Sequence, residues 1–395
     1  MNNTPNSNRT HITIFGKTNS GKSSLINSII GQNISLVSPI KGTTTDPVLK
    51  AMELIPFGPV LFTDTAGLED DTSLGKLRIE RTLKTLFKTD FAIYVMDIND
   101  IDKKSYENTI LKFKQYNIPY ITVINKIDTA NEDLIKTSKE TIKDAILVSC
   151  KRPETILNLK DILIEKLSKS EVSDTIIGDL LPYNSKVILV VPIDSEAPKG
   201  RIILPQVQLI RDLLDHGIKS YVTRDTELKS SLEDIKDVDL VVTDSQAFKK
   251  VNEIVPNNIK LTSFSILFSR YKGDFETFLD GIKKVDKLDE NSKILISESC
   301  THNHSHEDIG RIKIPRMLNK HVGKNLNFDF KMGEDFTENI KNYDLVIHCG
   351  ACMVNKKAMK TKINLCKENN VSITNYGMLI AYLTGILDRS IEIFK

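Results

Sequence analysis

The chain has 395 residues, 40% of them hydrophobic, which is enough for two or three domains that each bury a core. Its 54 Lys and Arg residues nearly balance 52 Asp and Glu, and a net charge of +2 argues against nucleic-acid binding through bulk charge. The longest nearly apolar run, residues 376–387, is too short to span a membrane, and the polar start lacks a secretory signal. Five cysteines make no disulfide framework, so we expect a cytoplasmic protein. From the charge and the short apolar runs we expect no nucleic-acid and no membrane partner.

Short β-rich runs alternate with longer amphipathic runs, which predicts an α/β protein with three α/β domains. The sequence contains no internal repeat that we detect. We expect a disordered lead-in at residues 1–10, a first domain at 11–172 with a mainly parallel sheet, a second at 173–262 and a third at 263–395. The strands predicted for the first domain are His11–Phe15, Val60–Asp64, Phe91–Asp97, Tyr120–Asn125 and Ala145–Ser149, with helices at Leu74–Lys88 and Tyr106–Tyr116. Those predicted for the other two domains are Val187–Pro192, a strand around Tyr221, Asp237–Asp244, Lys293–Ser297, Tyr343–Ile347 and Val371–Asn375, with helices at Gln206–His216 and Tyr376–Leu387.

A phosphate-binding loop follows the first strand. Residues 16–23 fit the pattern G-x-x-x-x-G-K-S, in which glycines let backbone N–H groups surround phosphate oxygens at a helix N-terminus. Lys22 would neutralise the β- and γ-phosphates, and the Ser23 hydroxyl would bind Mg²⁺. The binding residues predicted here are Gly16, Asn19, Ser20, Gly21, Lys22, Ser23 and Ser24.

Two further segments complete the magnesium and γ-phosphate site. Asp64-Thr65-Ala66-Gly67 ends an apolar strand, where the carboxylate of Asp64 can reach the magnesium waters and Gly67 can contact the γ-phosphate. A threonine-rich loop, residues 43–46, precedes it, and we expect Thr44 to contact Mg²⁺ and the γ-phosphate.

Guanine recognition is predicted at the ends of two later strands. In Asn125-Lys126-Ile127-Asp128 the carboxylate of Asp128 can accept both N1–H and the exocyclic amine of guanine, a pair that adenine lacks. The segment Ser149-Cys150-Lys151 would close over the base. These motifs resemble those of the translation-factor-related GTPases, in particular the TrmE/Era-like group of tRNA-modification and ribosome-assembly GTPases. The resemblance implies GTP/GDP and Mg²⁺ as ligands and slow GTP hydrolysis.

One position departs from the Ras-type pattern, because Leu68 stands where a glutamine orients the attacking water. Asn19 resembles the asparagine that helps bind K⁺ in the potassium-activated relatives, and K⁺ there could stabilise developing charge as an arginine finger does. The alternative is that Asn19 only shapes the turn. The residues predicted to act in hydrolysis are Lys22, Asn19, Thr44, Asp64 and Gly67.

Cysteine and histidine concentrate near the C-terminus in two groups that each follow an apolar strand. The first is Cys300-Thr301-His302, and the second is His348-Cys349-Gly350-Ala351-Cys352. Parallel neighbouring strands would bring the three thiols to one edge of the sheet. Cys349 and Cys352 have the C-x-x-C spacing of zinc and iron–sulfur sites. The fourth ligand stays open between Glu298, His302 and His348, while Cys366 is expected in the core.

A GTPase domain followed by C-x-H and H-C-x-x-C resembles the FeFe-hydrogenase maturation GTPases, the HydF-type scaffold proteins. The resemblance implies domains for GTP binding, dimerisation and cluster binding, a homodimer, and a 4Fe–4S cluster held by Cys300, Cys349 and Cys352. It also implies a carrier that receives the two-iron precursor of the hydrogenase active site with the help of radical SAM maturases and delivers it to apo FeFe-hydrogenase. The alternative is an RNA- or ribosome-assembly GTPase whose last domain binds structural zinc.

Overall fold

Three β-sheets, each covered by helices, make up the computed structural model, which describes residues 4–31, 48–65, 84–170, 175–193, 200, 202–299, 309–333, 336 and 339–395. The chain divides into two compact units, Met1–Val172 and Ser173–Lys395. Within the described residues, no helix is both long enough and apolar enough to span a bilayer.

The first unit contains a six-stranded sheet with the order β2-β3-β1-β4-β5-β6. Only β2 runs antiparallel to its neighbour, so the sheet is mainly parallel as predicted. Its strands are β1 (Thr10–Phe15), β2 (Val48–Leu54), β3 (Gly58–Asp64), β4 (Phe91–Asp97), β5 (Tyr120–Asn125) and β6 (Ile146–Leu147). Its helices are α1 (Lys22–Ile30), α2 (Lys103–Gln115), α3 (Glu132–Thr141) and α4 (Pro153–Ser170).

Alternate residues of these strands enter two hydrophobic clusters, one on each face of the sheet. Ile12 and Ile14 lie in the cluster that α1 and α4 cover, whereas Phe15 packs against Phe113 of α2 with ring centroids 5.0 Å apart. Asp102 and Asn131 cap α2 and α3 because their side-chain oxygens accept the N–H groups that the first helical turn leaves free. Because helices pack on both faces of the sheet, the strand ends from which the site loops emerge are held in place.

The second unit contains two parallel sheets. The middle sheet has the order β10-β9-β7-β8, and the C-terminal sheet has the order β12-β11-β13-β14. The strands are β7 (Lys186–Val190), β8 (Lys219–Thr223), β9 (Leu240–Thr243), β10 (Lys260–Ser263), β11 (Lys293–Glu298), β12 (Asn327–Met332), β13 (Leu345–His348) and β14 (Ser372–Asn375). The helices are α5 (Leu204–Asp215), α6 (Leu228–Asp234), α7 (Phe248–Ile254), α8 (Phe264–Tyr271), α9 (Phe275–Ile282), α10 (Ile314–Val322), α11 (Lys356–Glu368), α12 (Tyr376–Leu383) and α13 (Leu387–Ser390).

The two sheets of this unit repeat one topology, because in each the first strand pairs with the second and the third and the fourth lies beyond the third. Each final strand ends in a residue whose side chain caps the next helix: Ser263 for α8 and Asn375 for α12. One hydrophobic cluster joins the sheets, since it contains Ile188 of β7 as well as Ile296 of β11. Both sheets lie in the compact unit Ser173–Lys395 and share this cluster.

Several predicted elements differ from the structure. The lead-in is structured from Thr4 onward, and Arg9 Nη1 donates to the carbonyl of Met52 at 3.2 Å. The predicted helix Tyr376–Leu387 breaks after Leu383, where Gly385 has a φ of 74°. The strand Ala145–Ser149 shortens to two residues, and β2, β10 and β12 were missed. Of the predicted helix Leu74–Lys88, residues 74–83 lie outside the described residues.

Candidate functional site

The phosphate loop joins β1 to α1 and depends on two glycines with positive φ. Gly16 has a φ of 139°, and a Cβ there would lie 2.1 Å from the backbone oxygen of Val95. Gly21 has a φ of 92°, and its Cβ would lie 2.3 Å from Asn125 Nδ2. Since a side chain fits neither position, the loop can approach β4 and β5 only with glycine.

The side chains of this loop point at its own backbone and at β3. Lys22 is buried and donates its ammonium to the carbonyls of Gly16 and Lys17, the second at 2.7 Å. Ser23 Oγ donates to the carboxylate of Asp64, which brings the two predicted magnesium contacts together. Ser20 Oγ is buried and has no hydrogen-bond partner among the described residues, while Ser24 is exposed. A buried hydroxyl without a partner is costly, and a phosphate oxygen would satisfy it.

The residues predicted to recognise the base are brought together by the segments that follow β5 and β6. Asp128 accepts Ser149 Oγ at 2.6 Å and lies 2.9 Å from Lys151 Nζ. Hydrogen bonds from Ser149 and Lys151 lower the pKa of Asp128 to about 2, so the carboxylate is ionised at neutral pH. Cys150 Sγ lies 3.7 Å from Asn125 Oδ1. This ionised acceptor can read a pair of donors on one edge of a purine.

Asparagine and lysine side chains link this base site to the phosphate loop. Asn125 Nδ2 donates to the carbonyl of Ser20 at 3.1 Å, and Lys126 Nζ donates to the carbonyl of Asn19 at 2.7 Å. Lys126 also pairs with Asp97 at 2.7 Å. Asn19 has a φ of 66°, so its backbone adopts the left-handed conformation that favours Asn among non-glycine residues.

The predicted site residues Thr44, Gly67, Cys300 and His302 lie outside the described residues, as does Leu68. Among the residues that the structure does describe, no group of three His, Cys, Asp or Glu side chains is arranged to hold a metal ion.

The two cysteine-bearing loops emerge side by side, because β11 and β13 are parallel neighbours with Ser297 opposite His348. The N–H of Cys349 donates to the carbonyl of Ser297 at 3.0 Å. In return the N–H of Ser299 donates to Cys349 Sγ at 3.2 Å. Ser299 is the residue before Cys300 in the sequence. The end of the β11 segment therefore lies against the sulfur of Cys349.

Glu298 and His348 differ in their surroundings. Glu298 Oε1 lies 3.5 Å from Tyr376 Oη, and its Oε2 lies 3.5 Å from Arg311 Nε. The imidazole of His348 is fully buried; its Nδ1 donates to the carbonyl of Cys349 at 2.8 Å, and Lys362 Nζ lies 3.1 Å from its Nε2. Both ring nitrogens of His348 are thus engaged inside the protein.

The remaining cysteines have distinct environments. Cys349 is buried and Cys352 half-buried in the C-x-x-C loop, where Ala351 has a φ of 55°. Cys366 lies in α11 with no exposed surface, and burial raises its pKa to about 12. A thiol that resists ionisation is a poor metal ligand, which agrees with the core position predicted for Cys366.

Two lysines next to the cysteine loops were missed by sequence reasoning. Lys272 follows α8 and donates to the carbonyls of Ala351, Cys352 and Val354 at 3.2, 3.3 and 3.1 Å. Lys362 of α11 reaches His348 as described. Their sequence context, a helix end and a lysine-rich helix, is ordinary, so only the fold could reveal them.

Three family models match the chain in succession. The model of the 50S ribosome-binding GTPase matches residues 11–126, that of the hydrogen maturase F dimerization domain matches residues 176–273, and that of the hydrogen maturase F tetramerization domain matches residues 276–393. The two maturase models together cover more than half of the chain. The chain belongs to the HydF family. The dimerization model extends past β10 to include α8 and Lys272 of this HydF-type chain.

The first unit of this HydF-type chain is similar to GTPases of other functions. A tRNA modification GTPase MnmE from Leptospira interrogans is 34% identical over 161 residues, which are 40% of this chain and 35% of that protein. A GTPase Der from Wolinella succinogenes is 39% identical over 134 residues, or 32% of this chain and 27% of that protein. The chain thus spans about a third of the length of these relatives.

Solved structures with matching parts include Aquifex aeolicus Era bound to GDP and aluminium fluoride, with a TM-score of 0.33 and 19% identity over 54% of this chain and 93% of that one. A bacterial selenocysteine-specific elongation factor gives a TM-score of 0.36 and 19% identity over 45% of this chain and 32% of that one.

Proposed function

We propose that this HydF-type chain is a GTP-hydrolysing scaffold and carrier that binds a 4Fe–4S cluster and transfers a two-iron cluster precursor to apo FeFe-hydrogenase. The observation that carries the proposal is the hydrogen bond from the Ser299 N–H to Cys349 Sγ, which joins the two cysteine-bearing loops. Membership of the HydF family and a phosphate loop in the same chain support the coupling of this site to GTP.

The GTPase roles are proposed from the sequence motifs and, for the described residues, supported by their contacts. Lys22 would leave the loop carbonyls for the β- and γ-phosphates, and Ser23 with Thr44 would hold Mg²⁺ near Asp64. Gly67 would sense the γ-phosphate, and Asp128 would select guanine. The base would be enclosed by Asn125, Lys126, Ser149, Cys150 and Lys151.

Hydrolysis is expected to be slow and stimulated by K⁺, because Leu68 cannot orient a water molecule and Asn19 is the candidate K⁺ contact. Turnover in KCl should exceed turnover in NaCl at equal ionic strength, and Asn19→Ala should remove the difference. Equal rates of the wild-type protein in the two salts would refute the role of K⁺.

The 4Fe–4S cluster would be held by Cys300, Cys349 and Cys352. The donor set fits such a group, since Cys349 and Cys352 share one loop and the sulfur of Cys349 already accepts the N–H of Ser299, the residue before Cys300. The candidates for the fourth ligand are Glu298, His302 and His348, and both ring nitrogens of His348 already have partners within the protein. When bound, the cluster would supply an iron with an exchangeable position.

The proposed partners are radical SAM hydrogenase maturases, which would supply the two-iron precursor, and apo-hydrogenase, which would accept it. A homodimer is the proposed working form. The matches to the maturase dimerization and tetramerization domains support self-association.

A ribosome-assembly GTPase with a structural zinc site is the second candidate, favoured by the match to the 50S ribosome-binding GTPase model. Zinc at one equivalent per chain and no bound iron after anaerobic purification would favour it.

The carrier role is tested by transfer. The chain is co-expressed with the two radical SAM maturases, purified anaerobically and mixed with apo-hydrogenase, and hydrogen evolution is measured. We expect activation by the wild-type chain and at least tenfold less by Cys349→Ser and Cys352→Ser, with Cys366→Ser as the matched control that activates normally. The proposal would be refuted if Cys349→Ser and Cys352→Ser activated the hydrogenase as well as the wild-type chain and Cys366→Ser do.

A further inference from the structure

Lys272 holds its ammonium group in a position from which water is nearly excluded. Its exposed fraction is 2%, although it follows directly on the end of α8. The ammonium contacts the carbonyls of Ala351, Cys352 and Val354 and lies 5.9 Å from the ring centroid of Phe268. A lysine has three N–H donors, and three carbonyls are available to accept them.

Stability alone does not account for this lysine. Burying an ammonium group is costly, and a hydrophobic side chain of similar volume commonly serves a core at least as well. The carbonyls supply only partial negative charge, and no carboxylate is among its contacts in the described parts of the chain. Burial lowers the pKa of Lys272 to about 8, and the sulfurs of Cys349 and Cys352 act in the opposite direction, so they are the groups that can offset its charge.

The lysine also connects two parts of the second unit. Phe264, Leu267 and Phe268 of α8 pack in the hydrophobic cluster of the middle sheet. The carbonyls that Lys272 contacts belong to the loop between β13 and α11 of the C-terminal sheet. Lys272, which follows α8 on the middle sheet, thus holds a loop of the C-terminal sheet.

We propose that Lys272 is a positioning residue of the C-x-x-C loop, which it clamps through three carbonyls and whose sulfur charge it offsets. The effect on the bound cluster rests on the proposed function, whereas the clamp exists in the metal-free chain. A displacement of α8 relative to the middle sheet would move the C-x-x-C loop, because Lys272 joins the helix to the loop.

The clamp is tested on the metal-free full-length chain by hydrogen–deuterium exchange of residues 349–355. Lys272→Met removes the ammonium and keeps the length of the side chain, and Lys272→Gln is a second neutral variant for the case that the first fails to fold. The matched control is Lys283→Met, because Lys283 is an exposed lysine near the end of the next helix. We expect at least tenfold faster exchange in the neutral variants and no change in the control.

The charge effect is tested on reconstituted protein by titration of the cluster signal in electron paramagnetic resonance. Loss of a nearby positive charge disfavours the reduced, more negative cluster, so the neutral variants should have a lower potential. We expect a tenfold change in the reduction equilibrium, or 59 mV for one electron. Lys272→Arg, which keeps the charge, should stay near wild type.

Wild-type exchange in a folded neutral variant, or a wild-type potential in its reconstituted form, would each overturn the proposal. Failure of the wild-type chain to bind iron would count against the proposed function, while exchange in the metal-free chain would still decide the clamp.

Discussion

Two glycines of the first unit offer a matched test of the phosphate loop. Gly16 and Gly58 have φ values of 139° and 133°, so alanine at either position incurs similar backbone strain, about 1–3 kcal/mol. Their surroundings differ, because a Cβ at Gly58 meets no atom within 4 Å, whereas one at Gly16 would lie 2.1 Å from the backbone oxygen of Val95. That overlap cannot be relieved by rotating a side chain, and it adds about 1–3 kcal/mol.

We therefore expect Gly58→Ala to lose about 1–3 kcal/mol of unfolding free energy and to bind GTP within twofold of wild type. Gly16→Ala should lose about 2–6 kcal/mol and bind GTP at least tenfold more weakly, because the loop must move away from β4 and its N–H groups leave the phosphates. Denaturant unfolding gives the first quantity and fluorescence titration with a labelled GTP analogue gives the second. Equal GTP affinity of the two variants would refute the assignment of the loop.

Two aspartates, Asp128 and Asp179, give further predictions that follow from the groups they contact. Asp128→Asn replaces an acceptor with an amide that matches the N1–H and C2 carbonyl of xanthine, so binding should shift from GTP towards XTP; competition titration that still favours GTP would contradict this role. The hydrogen bonds from Arg270 lower the pKa of Asp179 to about 2, so its ion pair stabilises the fold above the ordinary pKa of 3.8 and is lost as the pH falls through about 2. Because the Asp179 side chain is 43% exposed, screening limits this to about 1 kcal/mol. Asp179→Asn should lose that amount at pH 7 in denaturant unfolding, and an unchanged midpoint would exclude the ion pair as a stabilising contact.

Local sequence patterns predicted the central strands well. Phe91–Asp97 and Tyr120–Asn125 match β4 and β5 residue for residue, because a strand buried on both faces reads as one apolar run between polar ends. The strands that were missed lie at sheet edges: β2, β10 and β12 are the outer strands of their sheets. The residues of β2 and β12 are mostly exposed or half-buried, so their sequences carry a weak hydrophobic pattern. The strand β10 is mostly buried but has only four residues, two of them Thr and Ser.

The repeated topology of the second unit has no counterpart in a detectable sequence repeat. The two sheets share a strand order and a capped helix after the last strand, yet the caps are Ser263 in one and Asn375 in the other. Either side chain can accept a helix N–H, so the physical requirement leaves the residue free to change.

The motif residues of both sites could be named from spacing, but their supporting contacts could not. Nothing near Lys272 in the sequence indicates a buried charge, because its three acceptors lie some 80 residues away and meet it only through the packing of α8. Likewise the engagement of both nitrogens of His348 depends on Lys362, which reaches it from another element. Contacts between distant segments depend on tertiary packing, which local patterns do not encode.

The most direct test of the metal site is anaerobic reconstitution with iron and sulfide, followed by iron analysis and electron paramagnetic resonance of the dithionite-reduced protein. The account predicts about four irons per wild-type chain and a cubane signal that Cys300→Ser, Cys349→Ser and Cys352→Ser each lose, while Cys366→Ser retains it. A wild-type signal that survives in Cys300→Ser, or a wild-type chain that binds zinc and no iron, would contradict it.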